Sequence, residues 1–360
     1  MRPEPWFAPT RDVEDLIVAA YGAAVHEVVP QKGLIANALN QHITVSQKAV
    51  RIGFRPVLCE PVLPKGRPYD VLFIVGNDSE ELAYALMVPG WRHAASTVVV
   101  LHDEIWPANT VRDHGWLAKV VSQADHIVTS SSSPDALYAM ANLVGKPIIR
   151  RPRSIEVERF IGPQRERPLD VMGYGRRDNG QDQALAAWAN MGPNRWYQHE
   201  IGHVVLDGPV WEYRASLGNK LNRSKAVVCN AARFDSYETS GEYGTRFIEA
   251  AASGCAFIGT FPKSEQFSID FGHLPGLIPL ALGADADTSQ LDHYLADACL
   301  ARRVAVEHRV HALRHHDSSH SVAGMMDAIN LPVAPAVTGR IRHLASIADD
   351  IVAAETNSSV

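Results

Sequence analysis

The chain has 360 residues, more than one ordinary domain contains, and this length predicts two domains. Apolar residues make up 46% of the chain and charged residues 21%, a balance typical of globular proteins rather than disordered or fibrous ones. The formal net charge is −6, and no block of Lys and Arg is present, which argues against a nucleic-acid binder.

The cysteines are four in number, lie far apart and form no Cys-x-x-Cys pair. This spacing argues against a zinc site and a disulfide framework, and it favours a reducing compartment. The first residues, MRPEPWFAPT, lack the basic and then apolar run of a signal peptide. No apolar stretch approaches the roughly 20 residues that span a bilayer. We therefore expect a cytoplasmic protein, whose membrane contact, if any, is peripheral.

The first half of the chain alternates short apolar runs with segments of helical spacing. A first strand is predicted at residues 16–21, although residues 12–24 also have the pattern of an amphipathic helix. Further strands are predicted at residues 70–78, 96–104, 125–133 and 146–152. Short β-branched runs without polar alternation are typical of strands buried on both faces of a parallel sheet.

A charged, proline-containing segment at residues 150–168 is the predicted linker, and the alternation resumes after it. Strands are predicted at residues 169–175, 203–208, 225–231 and 255–261, and helices at 181–190, 212–222, 245–253 and 340–354. The predicted fold is therefore α/β, with two tandem Rossmann-like doubly wound domains facing a cleft. We place the domains at residues 1–163 and 164–333, and a helix that crosses back to the first domain, with a frayed tail, at 334–360.

The segment SGEYGTRFIEAAASGCAFIGTFP carries most of the functional inference. Glycines 241 and 244 precede a helix that starts at Thr245 and stops at Gly254. A glycine-rich entry to a helix exposes backbone N–H groups that suit a phosphate or diphosphate. Glu249 lies one turn into the helix, within reach of a ribose diol. The same pattern also fits an ordinary capped helix of the scaffold.

The run RFIEAAASGCAFIG resembles the EAxAxGxPV region of the "glycosyltransferases group 1" enzymes, the GT-B superfamily that includes family 4. It is most similar to the spore-maturation-type branch, which has an arginine where this chain has Arg246. The resemblance implies that Glu249 binds the donor ribose. It also implies that Tyr243, Gly244 and Thr245 hold the diphosphate.

The run LDVMGYGRRDNGQ is similar to the opening strand and loop of the family's C-terminal domain. The resemblance implies that Arg176 binds the diphosphate, a role that suits its planar guanidinium. The family's downstream lysine has no match here, because Gln181 stands near its place. Arg177 or Lys225 is expected to supply that second positive charge.

One departure concerns a second glutamate that family 4 members carry eight residues before the ribose-binding one. Gly241 occupies that position here, and Glu242 and Glu238 are the neighbours that can replace it. The offset leaves the retaining mechanism and the identity of the sugar open.

His102 and Asp103 end a predicted strand and are expected to face the cleft. In an inverting enzyme of this fold, such a histidine deprotonates the acceptor hydroxyl and a carboxylate tunes it. The alternative is that both residues cap the following helix. Four histidines in HALRHHDSSH have helical spacing without a defined metal motif, so we assign no metal site there.

The sequence thus predicts a metal-independent glycosyltransferase that uses a nucleoside-diphosphate sugar as co-substrate and has no other cofactor. The expected acceptor is a sugar, a lipid-linked sugar or a small molecule, and the oligomeric state is not specified. One alternative is a nucleotide-sugar epimerase of the same fold. Another is a catalytically silent accessory subunit that binds a partner enzyme.

Overall fold

A computed structural model describes most of the chain. The described residues are 8–26, 28–30, 59–60, 63, 66, 68–76, 82, 85–86, 88, 90–103, 115–162, 166–200, 210–232, 241–284 and 286–358. The chain forms two compact units. The first comprises residues 21–151 and 325–332; the second comprises 152–324, 333–360 and the segment 2–20, described from residue 8. The chain enters the second unit at Pro152, inside the predicted linker.

The elements alternate along most of the chain. The described strands are β1 (Val29–Pro30), β2 (Cys59–Glu60), β3 (Tyr69–Gly76), β4 (Ala95–His102), β5 (His126–Thr129), β6 (Ile149–Arg150), β7 (Leu169–Tyr174), β8 (Tyr197–Glu200), β9 (Ser224–Val228), β10 (Ala256–Gly259) and β11 (Leu277–Pro279). The described helices are α1 (Ala8–Tyr21), α2 (Trp91–Ala94), α3 (Gly115–Val121), α4 (Pro134–Val144), α5 (Asn179–Asn190), α6 (Val210–Leu221), α7 (Arg246–Ala252), α8 (Glu265–Asp270), α9 (Ser289–Ala296), α10 (Ala298–His315), α11 (Ser318–Ala328) and α12 (Pro335–Ser358).

The first unit contains a parallel sheet whose described strands follow chain order, β3-β4-β5-β6. Strands β1 and β2 pair antiparallel in a separate ladder. One side of the sheet forms a core in which Val98, Val100 and Ile127 pack with Trp91 and Met140. These β-branched strand residues have the shape that a buried pleated surface favours.

The second unit contains a five-stranded parallel sheet in the order β11-β10-β9-β7-β8. Successive residues of its strands point to opposite faces, and both faces are covered. Met172 and Phe257 belong to one core cluster, whereas Val171 and Ile258 belong to another that includes Trp188 of α5. The sheet is therefore doubly wound, with helices packed on both sides.

The structure confirms the α/β fold class with two parallel sheets. It corrects the strand predicted at residues 16–21, which belongs to helix α1. Ala8, Val13 and Ile17 are buried along that helix, so one helical face, rather than alternate strand residues, carries the apolar contacts. The strand predicted at 203–208 lies outside the described residues.

Helix α12 was expected to cross back to the first domain. Its Leu344 and Ala348 pack in a core cluster of the second unit, and Arg314 of α10 bonds Asp349 at 2.7 Å. Among the described helices, none combines the length and the apolar character that a membrane crossing needs.

Candidate functional site

At strand β7 the order in which successive strands join the second sheet reverses, and the carboxyl end of β7 is therefore a topological switch point. The next strand in sequence, β8, lies on one side of β7, and β9 lies on the other. Open α/β sheets bind ligands at such a switch point, because the connections leave in opposite directions and open a crevice. The loop there starts at Gly175, whose φ of 70° suits glycine. A Cβ on Gly175 would lie 2.8 Å from Nη2 of Arg246, so the absent side chain also makes room for that guanidinium.

Glu249 lies in helix α7 and is buried beside this point, with 7% of its surface exposed. The Tyr174 hydroxyl, at the end of β7, donates to Oε2 of Glu249 at 2.7 Å. Burial, and next the negative charge of Glu249, raise the pKa of Tyr174 well above its ordinary value. Tyr174 therefore keeps its proton and remains a hydrogen-bond donor to the carboxylate.

Arg246 contacts the same tyrosine. Its guanidinium carbon lies 4.9 Å from the centre of the Tyr174 ring, a cation–π arrangement. Its Nη1 donates to the carbonyl of Val228, at the end of β9, at 3.4 Å. Glu249 and Arg246, two residues of the predicted motif, therefore both contact Tyr174, which is not part of that motif.

Arg214 and Asp12 complete this group and were not predicted from the sequence. Nη1 of Arg214 pairs with Oδ2 of Asp12, and Nη2 lies 3.8 Å from Oε1 of Glu249. Both residues lie on buried helix faces, Arg214 on the face of α6 that also carries Leu217 and Leu221. A charged residue at core spacing on a helix is the signal that was available in the sequence.

Arg176 and Arg177 lie exposed on the loop between β7 and α5. Arg177 pairs with Asp182 at 3.3 Å, whereas Arg176 directly follows Gly175, whose missing side chain leaves room for Arg246. The predicted phosphate ligand Arg176 is therefore adjacent in sequence to the switch point.

Gly244 and Thr245 lead into helix α7, as predicted. Among the described residues, none lies within 4 Å of a Cβ built on Gly244, so there is room on that side of the glycine. The Thr245 carbonyl accepts from the N–H groups of Ile248 and Glu249, both at 2.9 Å. In the described structure the Thr245 side chain makes no capping hydrogen bond.

Two predicted ligands have side chains that lie away from the carboxyl end of β7. Lys225 lies at the amino end of β9 and pairs with Asp170 at 2.7 Å, at the sheet edge opposite the crevice. The side chain of Tyr243 is buried among Phe247, Phe267 and Phe271, so only its backbone remains available to a ligand. Arg246, rather than Lys225, lies at the carboxyl end of β7.

Gln181, which stands near the family's lysine, has a structural role here. It is buried at the start of α5, and its amide nitrogen donates to the carbonyl of Leu280 at 3.0 Å. The Asn230 amide donates to the Gln181 oxygen at 2.8 Å, and the Thr260 N–H donates to the Asn230 oxygen at the same distance. This amide network joins the carboxyl ends of β9, β10 and β11, so a neutral residue suits the position better than a lysine.

Glu242 is buried, and its Oε2 pairs with Nη2 of Arg153 at 3.3 Å. The other neighbour considered for the missing glutamate, Glu238, lies outside the described residues.

His102 ends strand β4 in the first unit and Asp103 directly follows it, and both are buried. Nδ1 of His102 lies 3.3 Å from the carbonyl oxygen of Gly76. Both oxygens of Asp103 accept from Nη2 of Arg151, at 2.5 and 2.7 Å. A strong ion pair therefore holds the carboxylate that was predicted to tune the histidine.

Two histidines of the HALRHHDSSH run contact each other in the interior. Nε2 of His311 lies 3.1 Å from Nε2 of His316, and the His316 ring stacks on Phe271. Burial lowers the pKa of His316 to about 4. Across the described residues, no group of three or more His, Cys, Asp or Glu side chains has an arrangement that could hold a metal ion.

No family model matches this chain, and no curated protein matches it. Solved structures with a similar course of the chain include TarM, at 11% identity and a TM-score of 0.44, covering 72% of this chain and 54% of that one. They also include an accessory secretory protein 1, 2 and 3 structure from Streptococcus pneumoniae, at 10% identity and a TM-score of 0.44, covering 77% and 54%. A third is WaaG, titled a glycosyltransferase involved in lipopolysaccharide biosynthesis, at 9% identity and a TM-score of 0.37, covering 69% and 81%.

The chain spans only about half the length of the first of these structures. The assignment of a function therefore rests on the residues of the site.

Proposed function

We propose that the second unit binds a nucleoside-diphosphate sugar at the switch point and that the protein is a glycosyltransferase. The observation that carries this proposal is the convergence of Glu249 and Arg246 on Tyr174 and Gly175, where the strand order reverses. A carboxylate and a guanidinium held side by side match a ligand that presents a diol and an anion next to each other.

In this proposal Glu249 accepts hydrogen bonds from the ribose diol, while Arg176 and Arg246 bind the diphosphate. The backbone N–H groups of Gly244 and Thr245 add neutral donors to the same anion. Catalysis then consists of positioning the donor and stabilising the departing diphosphate. Because arginines supply the positive charge, the proposal includes no metal ion.

The remaining roles concern the sugar and the acceptor. Glu242 is proposed to lie beside the transferred sugar. It would replace the glutamate that family 4 members have at the position of Gly241. His102 is proposed as the acceptor base, with Asp103 and Arg151 holding the end of β4 beside it. The acceptor class stays as the sequence predicted it: a sugar, a lipid-linked sugar or a small molecule.

Calorimetry with the nucleosides, monophosphates and diphosphates of uridine, guanosine and adenosine tests the donor site. We expect one diphosphate to bind, and Glu249→Gln to weaken its binding by about 1.5–3 kcal/mol, since bonds to a charged acceptor are lost. Glu265→Gln, which alters an exposed carboxylate of α8, is the matched control and should leave affinity unchanged. Equal affinity of wild type and Glu249→Gln would reject Glu249 as a ligand.

Turnover separates the candidate functions. Release of the nucleoside diphosphate from its sugar only when an acceptor is present indicates a transferase. Conversion of the sugar without that release indicates an epimerase. Tight binding with neither reaction indicates an accessory subunit.

A further inference from the structure

We infer that Arg214 is a positioning residue for Glu249 and that Asp12, in helix α1, sets the position of Arg214. The inference rests on the proposed function, because its effect is measured on the nucleotide that Glu249 is proposed to bind. It adds two residues from outside the recognised motif to the site.

The guanidinium of Arg214 is held in place from several sides. Its side chain is 2% exposed, and Nη1 pairs with Oδ2 of Asp12. The same Asp12 oxygen accepts from the N–H of Glu156 at 2.8 Å, which fixes the carboxylate to a residue inside the predicted linker. The guanidinium carbon also lies 5.1 Å from the centre of the Phe160 ring. Arg214 therefore has little freedom to reorient.

The two carboxylate oxygens of Glu249 differ in their hydrogen bonding. Oε2 accepts from Tyr174 at 2.7 Å, whereas Nη2 of Arg214 lies 3.8 Å from Oε1, too far for a hydrogen bond. Among the described residues, none donates a side-chain hydrogen bond to Oε1. Arg214 thus offsets the cost of burying the carboxylate by its charge, and it leaves Oε1 able to accept from a ligand.

Asp12 is the reason that Arg214 stays at this distance. Because Nη1 is bound to Asp12, the fork cannot turn to grip both oxygens of Glu249. Without the Asp12 charge, a bidentate pair between Arg214 and Glu249 becomes the best arrangement for two buried charges. That pair would occupy Oε1 and compete with the ligand.

The test compares calorimetric affinities for whichever of UDP, GDP and ADP binds the wild type. Arg214→Met should lower affinity about tenfold, for the diphosphate and its nucleoside alike, because the diol contact depends on Glu249. In a Glu249→Gln background, Arg214→Met should add less than about a twofold loss, since residues acting through one contact are not additive. Arg214→Lys should restore part of the affinity, and Asp12→Asn should lower it about threefold.

Arg309→Met is the matched control, because Arg309 is also 2% exposed in the second unit but bonds Asn222 and Ser253 instead. It should leave affinity unchanged in the folded fraction measured by circular dichroism. If Arg214→Met does not fold, Asp12→Asn and Arg214→Lys decide the question.

Three results overturn the inference. If Asp12→Asn and Arg214→Lys both bind with wild-type affinity, the inference is rejected but the proposed function is not. Equal losses of affinity for Arg214→Met and Arg309→Met have the same consequence. Additive losses in the double variant reject action through Glu249. Absence of binding of UDP, GDP and ADP to the wild type rejects the proposed function as well.

Discussion

The carboxyl edges of the two sheets differ in how their charges are balanced. In the first unit, Asp103 and Arg151 form a buried pair of one carboxylate and one guanidinium, at the end of strands that follow chain order. In the second unit, Arg214 is shared between Asp12 and Glu249, Arg246 lies against the ring of Tyr174, and the strand order reverses.

The difference teaches that a buried charge does not by itself indicate a binding site. A balanced pair such as Asp103–Arg151 contributes mainly to the structure around it. A guanidinium that lies beside a glycine and an aromatic ring, as that of Arg246 does, is suited to an anion from outside. The comparison therefore predicts that disruption of the first edge affects folding and that disruption of the second affects affinity.

The largest expected effect is on the first edge. Arg151→Met should destabilise the first unit by about 3–5 kcal/mol, because it leaves the Asp103 charge buried without its guanidinium. Hydrogen exchange of β4 peptides measures this loss. Arg92→Met is the control, since Arg92 and Asp125 form a pair about one-third exposed and should cost less than about 1 kcal/mol. A similar small loss for Arg151→Met would contradict the balanced-pair interpretation.

His102 lies at the first edge but is proposed to be the acceptor base, so its loss should affect catalysis rather than folding. His102→Ala should lower transfer at least 100-fold while leaving nucleotide affinity unchanged, as loss of a general base costs about 10²–10⁴-fold. Steady-state turnover and calorimetry on the same preparation measure both quantities. A variant that keeps more than about a tenth of the turnover removes His102 from the mechanism and favours a retaining reaction.

Acid should destabilise the second unit. Burial lowers the pKa of His308 to about 4, so this histidine is neutral in the folded protein at pH 5. The unfolded chain binds a proton near pH 6.5, so stability is complete above about pH 7 and falls as pH drops toward 4. The loss from His308 between pH 7 and pH 5 should be on the order of 2 kcal/mol.

Hydrogen exchange of β10 peptides at pH 7 and pH 5, corrected for the intrinsic rates, measures the acid effect. His308→Gln should reduce it, and His93→Gln, at an exposed position of the first unit, should not. An unchanged pH dependence in His308→Gln would show that this histidine is not the group responsible.

The smallest effect is expected on the exposed loop of the second edge. Arg176→Ala should weaken binding of the nucleoside diphosphate about tenfold without affecting the nucleoside, because the guanidinium is proposed to meet the phosphates. Arg177→Ala, which alters the neighbouring arginine paired with Asp182, is the control. Equal weakening of nucleoside and diphosphate binding would indicate a folding defect instead.

Much of the architecture follows from local patterns. Helix α4 illustrates this, since Ser133 caps it, Pro134 begins it and Gly145 ends it with a φ of 66°, all readable in the sequence. Residues 16–21 were predicted as a strand, with an amphipathic helix over residues 12–24 as the alternative, and the structure has the helix. A short apolar run does not by itself distinguish the two. The true partners of α1 lie in the second unit, far along the chain.

The site was predictable only in part, for a similar reason. Glu249, Arg246 and Arg176 belong to local motifs, so a single sequence is enough to propose them. Tyr174 joins them through a contact across 75 positions, and Asp12 joins Arg214 across 202, distances over which a single sequence carries no pattern. Lys225 was expected near the diphosphate because of its charge. It lies at the amino end of β9, whereas the switch point is at the carboxyl ends of the strands.

The segmented make-up of the second unit has a consequence for how the protein forms. Helix α1 is synthesised before the rest of the second unit, so Asp12 has neither Arg214 nor the N–H of Glu156 as a partner while residues 21–151 are made. Contacts of such long sequence separation close late, because the loop entropy must be paid first. A fragment that starts at Pro152 would lack α1, and it would contain Arg214 without the carboxylate of Asp12. The second unit is therefore compact in space but not separable by cutting the chain at the linker.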